Sequence, residues 1–434
     1  PATPHPLWSR GLGDVYKRQK EDQLYVEDVP ISKIALSVGT PFYVYSRSSI
    51  EQSYKLFDRA MCGSKYLICY AMKANSNQAI LKILGALGAG MDVVSGGEYA
   101  RARAAGIPGD RIVFSGVGKT RDEIILAIKG GIRQFNVESE PELIAISEVA
   151  SELGAEVPIT IRINPDVDAK THSKIATGKA ENKFGIPLIR ARETYTFAAS
   201  LPGIKIVGID VHIGSQLSDL TPYRDAFNKV RMLAEQLRLD GHKISRLDLG
   251  GGLGIIYENS EQTLPSPNEY GAVVKEIFEG LDCELQLEPG RWIVGNAGLM
   301  VASVIYLKEG EGRNFLIIDA AMNDLIRPAL YDAHHEIIPV NKPISNTHFM
   351  PFDIVGPVCE TGDTFANQRQ MPNVQSGEML AFKSAGAYGS VMASEYNTRP
   401  MIPEVLVSGN KFSIIRARPS VQDIIDRDII PDWL

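Results

Sequence analysis

The chain has 434 residues, 44% of them hydrophobic, and a formal net charge of −7 at pH 7. This length and apolar content suffice for one large or two ordinary domains with buried cores. The acidic balance, without a long run of Lys or Arg, argues against nucleic acid or an anionic membrane as partner. No apolar stretch reaches the roughly 18 residues of a membrane span, and no secretory signal pattern is present. The sequence therefore predicts a cytoplasmic enzyme that acts on a small molecule.

The cysteines give no sign of a metal or of cross-links. Cys62, Cys69, Cys283 and Cys359 are scattered, without a CxxC pair or a histidine at ligand spacing. Neither a zinc site nor a disulfide framework is expected from this pattern. We predict free thiols and no metal.

The beginning of the chain does not resemble the rest. It does not start with Met, and residues 14–19, DVYKRQ, resemble the in-frame translation of an adapter used in sequencing libraries. We expect residues 1–19 to be a non-native or disordered tail without a role in the fold.

A series of βα units fills the middle of the chain. Eight strand-like runs alternate with longer helical patterns: KYLICYAMKAN, MDVVSGGE, RIVFSG, RQFNVES, PITIRINPDV, KIVGIDVHIGS, RLDLGGG and CELQLEPGR. Eight such units over about 230 residues predict an α/β fold, a closed (β/α)8 barrel of TIM type over residues 46–296, rather than an open doubly wound sheet. Because the runs end in polar or glycine residues, candidate site residues should converge at the C-terminal face of the barrel.

A second domain is predicted from the remaining segments. After about Ala297 the pattern changes to strand runs such as LMVASVIYL and NFLIIDA, separated by Gly, Pro and Asn. Residues 20–45 contain period-two stretches that predict a further strand of the same domain. We expect a mostly antiparallel β domain formed by residues 20–45 and 297–434.

The first barrel run ends at a lysine. Lys73 follows the apolar run that begins near Lys65, so its stem should be packed and its amine partly desolvated. Such an amine titrates below the solvated value and is a nucleophile toward an aldehyde cofactor. A strand-end lysine that extends to solvent is the ordinary alternative.

Three later strand ends carry groups suited to a flat, phosphorylated cofactor. Gly250, Gly251 and Gly252 leave backbone amides open to a phosphate, although a plain glycine turn is the alternative. Glu288 would hold a pyridine ring protonated, which makes the ring an electron sink, unless it forms an internal ion pair with Arg291. His212 is placed to stack on a ring or simply to form hydrogen bonds.

The second domain offers three groups that suit an amino-acid substrate. Arg327 is able to clamp a carboxylate, and Glu360 is able to pair with an ammonium group. Cys359 is a candidate proton donor, since a thiol with a pKa near ~8.5 gives up a proton close to neutrality. A surface arginine and a small buried cysteine are the alternatives.

Together these segments resemble one family, the fold-type III pyridoxal-phosphate-dependent decarboxylases, whose barrel is alanine-racemase-like. The resemblance runs from about Leu24 to Leu434. Nine ordered motifs carry it: YAMKAN, DVVSGGE, THSKIATG followed by NKFGI, DVHIGSQ, DLGGGLGI, EPGR, MNDLIRPALYDAHHEI, GPVCETGD and GAYGSVMASEYN. Thr361 stands where the family pattern has serine, and residues 172–185 resemble a loop that closes over the site.

The resemblance implies pyridoxal 5'-phosphate as the cofactor. Lys73 would carry it as a Schiff base, His212 would stack on its ring, and Glu288 would pair with its ring nitrogen. The phosphate and its surroundings would be held by Ser215, Gly250, Gly251, Gly252, Gly290, Arg291 and Tyr388.

The resemblance also implies where the substrate binds. The expected contacts are Arg291, Arg327, Tyr331, Glu360 and Tyr388. The catalytic residues would be Lys73, His212 and Cys359, with Cys359 supplied by the second subunit of a homodimer that shares its active sites.

Within that family the motifs resemble those of the members that decarboxylate meso-2,6-diaminopimelate to L-lysine and carbon dioxide, and the resemblance implies the same reaction. A decarboxylase of ornithine, D-lysine or carboxynorspermidine on the same fold is the alternative. An alanine-type racemase is disfavoured by Glu288, because a racemase usually has an arginine at the pyridine nitrogen. A non-catalytic cofactor carrier and a dinucleotide-binding oxidoreductase are weaker alternatives.

Overall fold

The computed structural model describes residues 19–20, 22–168, 183–257, 263–343 and 348–434. These residues form two compact units. One contains the described residues of 51–255 and 263–293, and the other contains the described residues up to Ile50, Ile256 and Tyr257, and the described residues from Val294 to Leu434. Within the described ranges no helix is both long and apolar enough to cross a membrane.

The first unit is a closed parallel barrel. Its strands are β1 (Tyr66–Ala71), β2 (Gly90–Val93), β3 (Ile112–Phe114), β4 (Gln134–Val137), β5 (Val157–Asn164), β6 (Ile204–Asp210), β7 (Arg246–Asp248) and β8 (Glu284–Leu287). Each strand pairs in parallel with the next, and β8 pairs with β1 to close the ring. A short strand, Ile186–Pro187, adds to the end of β5. The barrel predicted from the sequence is confirmed, and all eight strand-like runs are strands.

Helices precede, connect and follow the barrel strands. They span Arg47–Met61, Gln78–Ala86, Gly96–Ala104, Arg121–Lys129, Glu140–Leu153, Ala191–Ser200, Thr221–Leu239, Pro267–Phe278 and Arg291–Val294. Side-chain caps fix where several of them begin. Thr120 and Ser266 form capping boxes with a glutamate three residues later, and Ser95 and Ser139 accept from the third helical amide. These caps satisfy amides that have no partner inside the helix. Each cap therefore fixes the residue at which a loop of the barrel mouth ends and the next helix begins.

The second unit is built mainly from antiparallel strands. They are Gln23–Val26, Val29–Pro30, Phe42–Ser46, Gly298–Gly310, Arg313–Ile318, Ile337–Pro339, Phe349–Val355, Thr364–Pro372, Met379–Phe382, Glu404–Ser408 and Lys411–Arg416. Short helices span Ile31–Val38, Arg327–Tyr331 and Val421–Ile425. Phe42–Ser46 pairs with both Gly298–Gly310 and Glu404–Ser408, so a strand from before the barrel lies in the same sheet as strands from after it.

Two expectations fall partly outside the described residues. Of the predicted N-terminal tail, only Gln19 is described, and it pairs with Leu24 in a two-residue strand, Gln19–Lys20. Of the predicted closing loop over residues 172–185, only residues 183–185 are described.

One glycine of β6 is required by the closeness of β7. A Cβ atom on Gly208 would lie 2.0 Å from the backbone oxygen of Arg246, whereas a Cβ on Gly118 would meet nothing within 4 Å. Gly208→Ala should therefore lower the free energy of unfolding by about 1–3 kcal/mol, because the strand pair must shift to admit the methyl group. Gly118→Ala is the control and should stay within about 0.5 kcal/mol of the wild type. Urea unfolding of both variants measures the difference, and equal stability would contradict this account of strand packing.

Candidate active site

Lys73 lies where the sequence predicts it, immediately after β1. It is part of the single turn Met72–Ala74, and its Nζ donates to Oδ2 of Asp92 at 3.1 Å. The Asp92 side chain, on the neighbouring strand β2, is completely buried, while about a third of the lysine side chain is exposed. The amine is thus held by a buried carboxylate and is still open to a reactant.

Five barrel strands carry a buried polar or charged side chain beside the predicted site residues. These buried residues are Asp92, Asn136, Arg162, Asp210 and Asp248. None of them was predicted from the sequence. The clearest signal is an aspartate near the end of a largely apolar strand run, as in KIVGIDV and RLDLG. Such a residue points either into the barrel or outward, and only the strand register decides between them.

Carboxyl groups gather at the C-terminal ends of β6, β7 and β8. Oxygen atoms of Asp210, Asp248 and Glu288 all lie within 4.8 Å of one another. Burial, and then the charges of Asp248, Asp92 and Asp210, raise the pKa of Glu288 well above its usual value. Burial also raises the pKa of Asp248 to about 6. The cluster therefore carries more negative charge than it can hold without protons or a cation.

Arg162 is the arginine of this cluster. Its Nη1 donates to Oε1 of Glu138 at 2.8 Å, and its Nε lies 4.0 Å from Oδ2 of Asp210. Three close carboxylates are also a donor set for a divalent cation. The positive charge of Arg162 opposes the binding of a cation by these carboxylates. That the site holds no metal stays a prediction.

His212 follows β6 and is held as a neutral ring. Its Nδ1 accepts a hydrogen bond from the Gly251 amide at 3.1 Å, so the ring proton lies on Nε2. Desolvation, and then the charges of Arg162 and Lys73, lower the pKa of His212 well below its usual value. A Cβ on Gly250 would lie 2.6 Å from His212 Nδ1. Only glycine lets the loop after β7 lie this close to the ring.

The loops after β6, β7 and β8 form one surface. The Leu217 amide donates to the Gly252 oxygen at 2.9 Å, and a Cβ on Gly251 would lie 2.2 Å from the Glu288 oxygen. Gly250 and Gly252 have φ values of 64° and 105°, which favour glycine. This surface is therefore formed by backbone and not by side chains, so its amides are able to approach a bound phosphate group.

The loop after β8 connects this surface to Lys73. Arg291 Nη2 donates to Ser215 Oγ at 2.9 Å. A Cβ on Gly290 would lie 3.1 Å from the Cβ atoms of both Ala71 and Ala74. The turn that contains Gly290 thus packs directly on the turn that holds Lys73.

In the second unit, Arg327 is buried at the start of the helix Arg327–Tyr331, and Tyr331 is half-buried at its end. Arg327 Nη1 lies 2.8 Å from His335 Nε2, and the guanidinium lies over the Tyr257 ring, 4.6 Å from its centroid. His335 Nδ1 donates to the Lys383 oxygen at 2.8 Å, which leaves Nε2 as the acceptor for Arg327. These contacts orient Arg327 through neutral partners.

Cys359 and Glu360 are exposed on one loop of the second unit. The buried side chain of Asp363 organises this loop. Its Oδ2 accepts from the Val358 amide at 2.7 Å and its Oδ1 from the Met322 amide at 2.6 Å. Asp363 thus joins the Cys359 loop to the turn that precedes the Arg327 helix. The sequence analysis quoted it in a motif without giving it a role.

The other contacts of this unit concern Glu360 and Tyr388. The Tyr396 hydroxyl donates to Glu360. Tyr388 is half-buried and has a φ of 56°, a backbone conformation that non-glycine residues rarely adopt.

The structure brings one set of predicted site residues to the barrel mouth: Lys73, His212, Ser215, the three glycines, Glu288, Gly290 and Arg291. Arg327 and Tyr331 share one helix of the second unit, and Cys359 and Glu360 share one loop.

The barrel-mouth groups fit pyridoxal phosphate. The positive charge of a protonated ring nitrogen would balance negative charge of the buried carboxyl cluster. The glycine loop offers backbone amides to a phosphate, and Lys73 supplies an amine for the aldehyde. This fold and site are those of a pyridoxal-phosphate-dependent enzyme built on a (β/α)8 barrel.

Comparison with known proteins gives the same class. The family model "Pyridoxal-dependent decarboxylase, pyridoxal binding domain" matches residues 47–295. Diaminopimelate decarboxylase of Zymomonas mobilis subsp. mobilis is 48% identical over 418 residues, which are 96% of this chain and 99% of that protein.

Two solved structures of similar proteins have L-lysine bound. The diaminopimelate decarboxylase of M. jannaschii in co-complex with L-lysine has a TM-score of 0.92 at 37% identity, covering 97% of this chain and 99% of its own. The Helicobacter pylori enzyme complexed with L-lysine has a TM-score of 0.87 at 42% identity, covering 92% and 98%. The chain belongs to the diaminopimelate decarboxylase family of pyridoxal-dependent decarboxylases.

The carboxyl cluster predicts a pH dependence of stability. The folded-state pKa of Asp248, about 6, lies above the unfolded value of about 3.9, so the folded chain binds this proton more tightly. The contribution is fully present below about pH 4 and is lost as pH rises through about 6, a change of about 3 kcal/mol. In the cofactor-free protein, Asp248→Asn should remove this part of the fall in the free energy of unfolding with rising pH.

Urea unfolding at a series of pH values measures that slope. The matched control is Asp282→Asn, because Asp282 is exposed and paired with Lys65 outside the cluster. Equal slopes for the wild type and Asp248→Asn would contradict the electrostatic account of the cluster.

Proposed function

We propose that this chain catalyses the pyridoxal-phosphate-dependent decarboxylation of meso-2,6-diaminopimelate to L-lysine and carbon dioxide. The observation that carries the proposal is the position of Lys73, bonded to buried Asp92 beside the Asp210, Asp248 and Glu288 cluster, in a member of this decarboxylase family. A cytoplasmic location, expected from the sequence, is part of the proposal.

The barrel residues would hold the cofactor. Lys73 would bind its aldehyde carbon, His212 would lie on its ring, and Glu288 would pair with its ring nitrogen. Its phosphate would meet the backbone of the glycine loop, Gly290 and Arg291, together with Ser215 and Tyr388. When bound, pyridoxal phosphate supplies a protonated ring that accepts the electron pair released by loss of carbon dioxide.

The chain's own groups prepare this chemistry. Glu288, as a carboxylate, would keep a proton on the ring nitrogen, and its buried position would strengthen that interaction. His212 is neutral, so it covers the ring without adding a charge. Asp92 accepts from Lys73 and holds the amine at the end of β1.

The second-unit residues would select and protonate the substrate. Arg327 and Tyr331, with Arg291, are suited to a carboxylate, and Glu360 is suited to the ammonium group of the distal amino-acid centre. Ornithine has no second carboxylate, so a clamp for one favours diaminopimelate. Cys359 would give its thiol proton to the carbon that has lost carbon dioxide.

A substrate comparison tests the proposal. Purified protein with pyridoxal phosphate is mixed separately with meso-diaminopimelate, L-ornithine, L-arginine and D-lysine, and carbon dioxide and product amine are measured. We expect L-lysine from meso-diaminopimelate and no comparable turnover of the other three. Preferential turnover of a monocarboxylic amino acid would instead support the alternative decarboxylase and remove the clamp role of Arg327.

We propose a homodimer in which Cys359 and Glu360 of one chain complete the site that contains Lys73 of the other. Cys359 and Glu360 are exposed in the single chain, as residues that meet a second copy must be. A symmetric dimer would then contain two equal sites of this kind.

Mixing two inactive variants tests this sharing. Lys73→Ala and Cys359→Ala each inactivate every site when pure. After subunit exchange, mixed dimers keep one intact site of two, so about a quarter of the wild-type activity should return. Mixing Lys73→Ala with His212→Ala is the control and should restore nothing, because both residues belong to the same barrel. No recovery in the first mixture would contradict the shared site.

A further inference from the structure

Asn136 is a fully buried residue of β4 whose amide nitrogen faces acid groups. Its Nδ2 lies 3.1 Å from Asp248 Oδ2, 3.3 Å from Glu288 Oε1 and 3.1 Å from Ser115 Oγ. One neutral donor therefore lies between two carboxyl groups that are themselves close together. Its placement stabilises negative charge on either carboxyl group.

The other end of the amide is fixed in orientation. Asn136 Oδ1 accepts from Thr160 Oγ1 at 2.7 Å and from Gln134 Nε2 at 2.9 Å. Thr160 Oγ1 lies within 3.4 Å of Gln134 Nε2 as its acceptor, so the hydroxyl proton points to Asn136. Rotation of the amide by half a turn would set NH2 against two donors. Asn136 therefore presents its amide nitrogen to Asp248 and Glu288.

The two carboxyl groups differ in their donors. Asp248 also accepts from Gln286 Nε2 at 3.2 Å and from the Gly250 amide at 3.3 Å, whereas Glu288 also accepts from Ser115 Oγ at 3.4 Å. Asp248, with more donors, is the better anion. The hydrogen bond from Asn136 is the largest effect that lowers the pKa of Asp248 against burial.

Other ionisable groups also face this pair. They are Lys73, Asp92, Glu138, Arg162, Asp210 and His212, together with Cys69 and Tyr270, whose pKa values burial raises above their usual ranges, so that both are neutral. The Lys73 amine pairs with Asp92 at 3.1 Å, and the shortest ion pair of Arg162, at 2.8 Å, is with Glu138. Asp210 adds negative charge, and His212 is neutral. The two cations are thus engaged by other carboxylates, while the contacts described above give the Asp248 and Glu288 pair neutral donors.

We propose that Asn136 is a positioning residue that lets the Asp248 and Glu288 pair hold one proton, on Glu288, rather than two in the cofactor-free enzyme, so that Asp248 is ionised and the Glu288 proton is available to the cofactor's ring nitrogen. This inference rests on the proposed function, because it assumes that pyridoxal phosphate binds with its ring nitrogen at Glu288. On binding, the proton would pass from the Glu288 carboxyl oxygen to the ring nitrogen, and Glu288 would then be a carboxylate beside a protonated ring. Asn136 touches neither reacting atom and acts through the two carboxyl groups.

The test compares two ligands of the cofactor-free protein. One is pyridoxal phosphate, and the other is its analogue with CH in place of the ring nitrogen. The analogue cannot take the proton, so its binding requires Glu288 to stay neutral and should weaken as pH rises. In the wild type, the ratio of the analogue's dissociation constant to that of pyridoxal phosphate should rise about tenfold per pH unit above the pKa of Glu288.

Two variants then measure the part played by Asn136. Asn136→Leu removes a donor from both carboxylates, so the pH at which the ratio begins to rise should move upward by about 0.5 unit or more. Thr160→Val releases the amide from its fixed orientation and should move it in the same direction by a smaller amount. If Asn136→Leu does not fold, the shift measured for Thr160→Val alone decides whether Asn136 has this role.

A matched control separates this role from packing. Ser147 is buried and donates a 2.7 Å hydrogen bond to the Pro202 oxygen, outside the cluster, so Ser147→Ala should weaken stability without moving the pH midpoint. A flat ratio in the wild type, or an unmoved midpoint in the folded variants, would overturn the role of Asn136. In either case, wild type that binds pyridoxal phosphate and releases L-lysine would leave the proposed function standing. Wild type that does neither would refute both.

Discussion

The concentration of carboxyl groups at the barrel mouth is the constraint on which this site depends. Asp92, Asp210, Asp248 and Glu288 are buried close to one another, and isolated buried charges of this kind are costly. Lys73, Arg162 and several amide donors offset part of that cost. The pKa of Glu288 stays high in the chain alone. A bound ring with a protonated nitrogen supplies the missing positive charge, so the same electrostatic arrangement favours cofactor binding and the electron-accepting form of the cofactor.

Close backbone contacts hold this cluster in place. Gly208 lets β6 and β7 pair, Gly250 and Gly251 let the loop after β7 meet His212 and the end of β8, and Gly290 lets the next turn pack on the Lys73 turn. In each of these contacts the glycine backbone lies against other backbone, a ring or the methyl groups of two alanines, and a Cβ atom would force the two segments apart. The positions of the polar groups therefore depend on glycines that carry no chemistry themselves. In the second unit, Asp363 has the corresponding organising role through two backbone amides.

The sequence predicts the parts of this account that are local or carried by motifs. Eight strand runs predict the closed barrel, and Lys73, His212 and Glu288 follow from their positions at strand ends. Asp210 and Asp248 could not be assigned in the same way, because their role depends on which face of a strand they occupy. Asn136 contacts Glu288 across 152 positions of the chain, a proximity that only the closed barrel creates. The neutral state of His212 likewise depends on an amide from another loop.

The most direct measurement of the central claim is to find where pyridoxal phosphate attaches. The protein is incubated with the cofactor, reduced with borohydride and digested, and the modified peptide is identified by mass spectrometry. The account predicts a pyridoxyl group on Lys73, and loss of that modification in Lys73→Ala but not in Lys65→Ala at the other end of the same strand run. Specific modification of a different lysine, or none in a protein that releases carbon dioxide, would contradict the account.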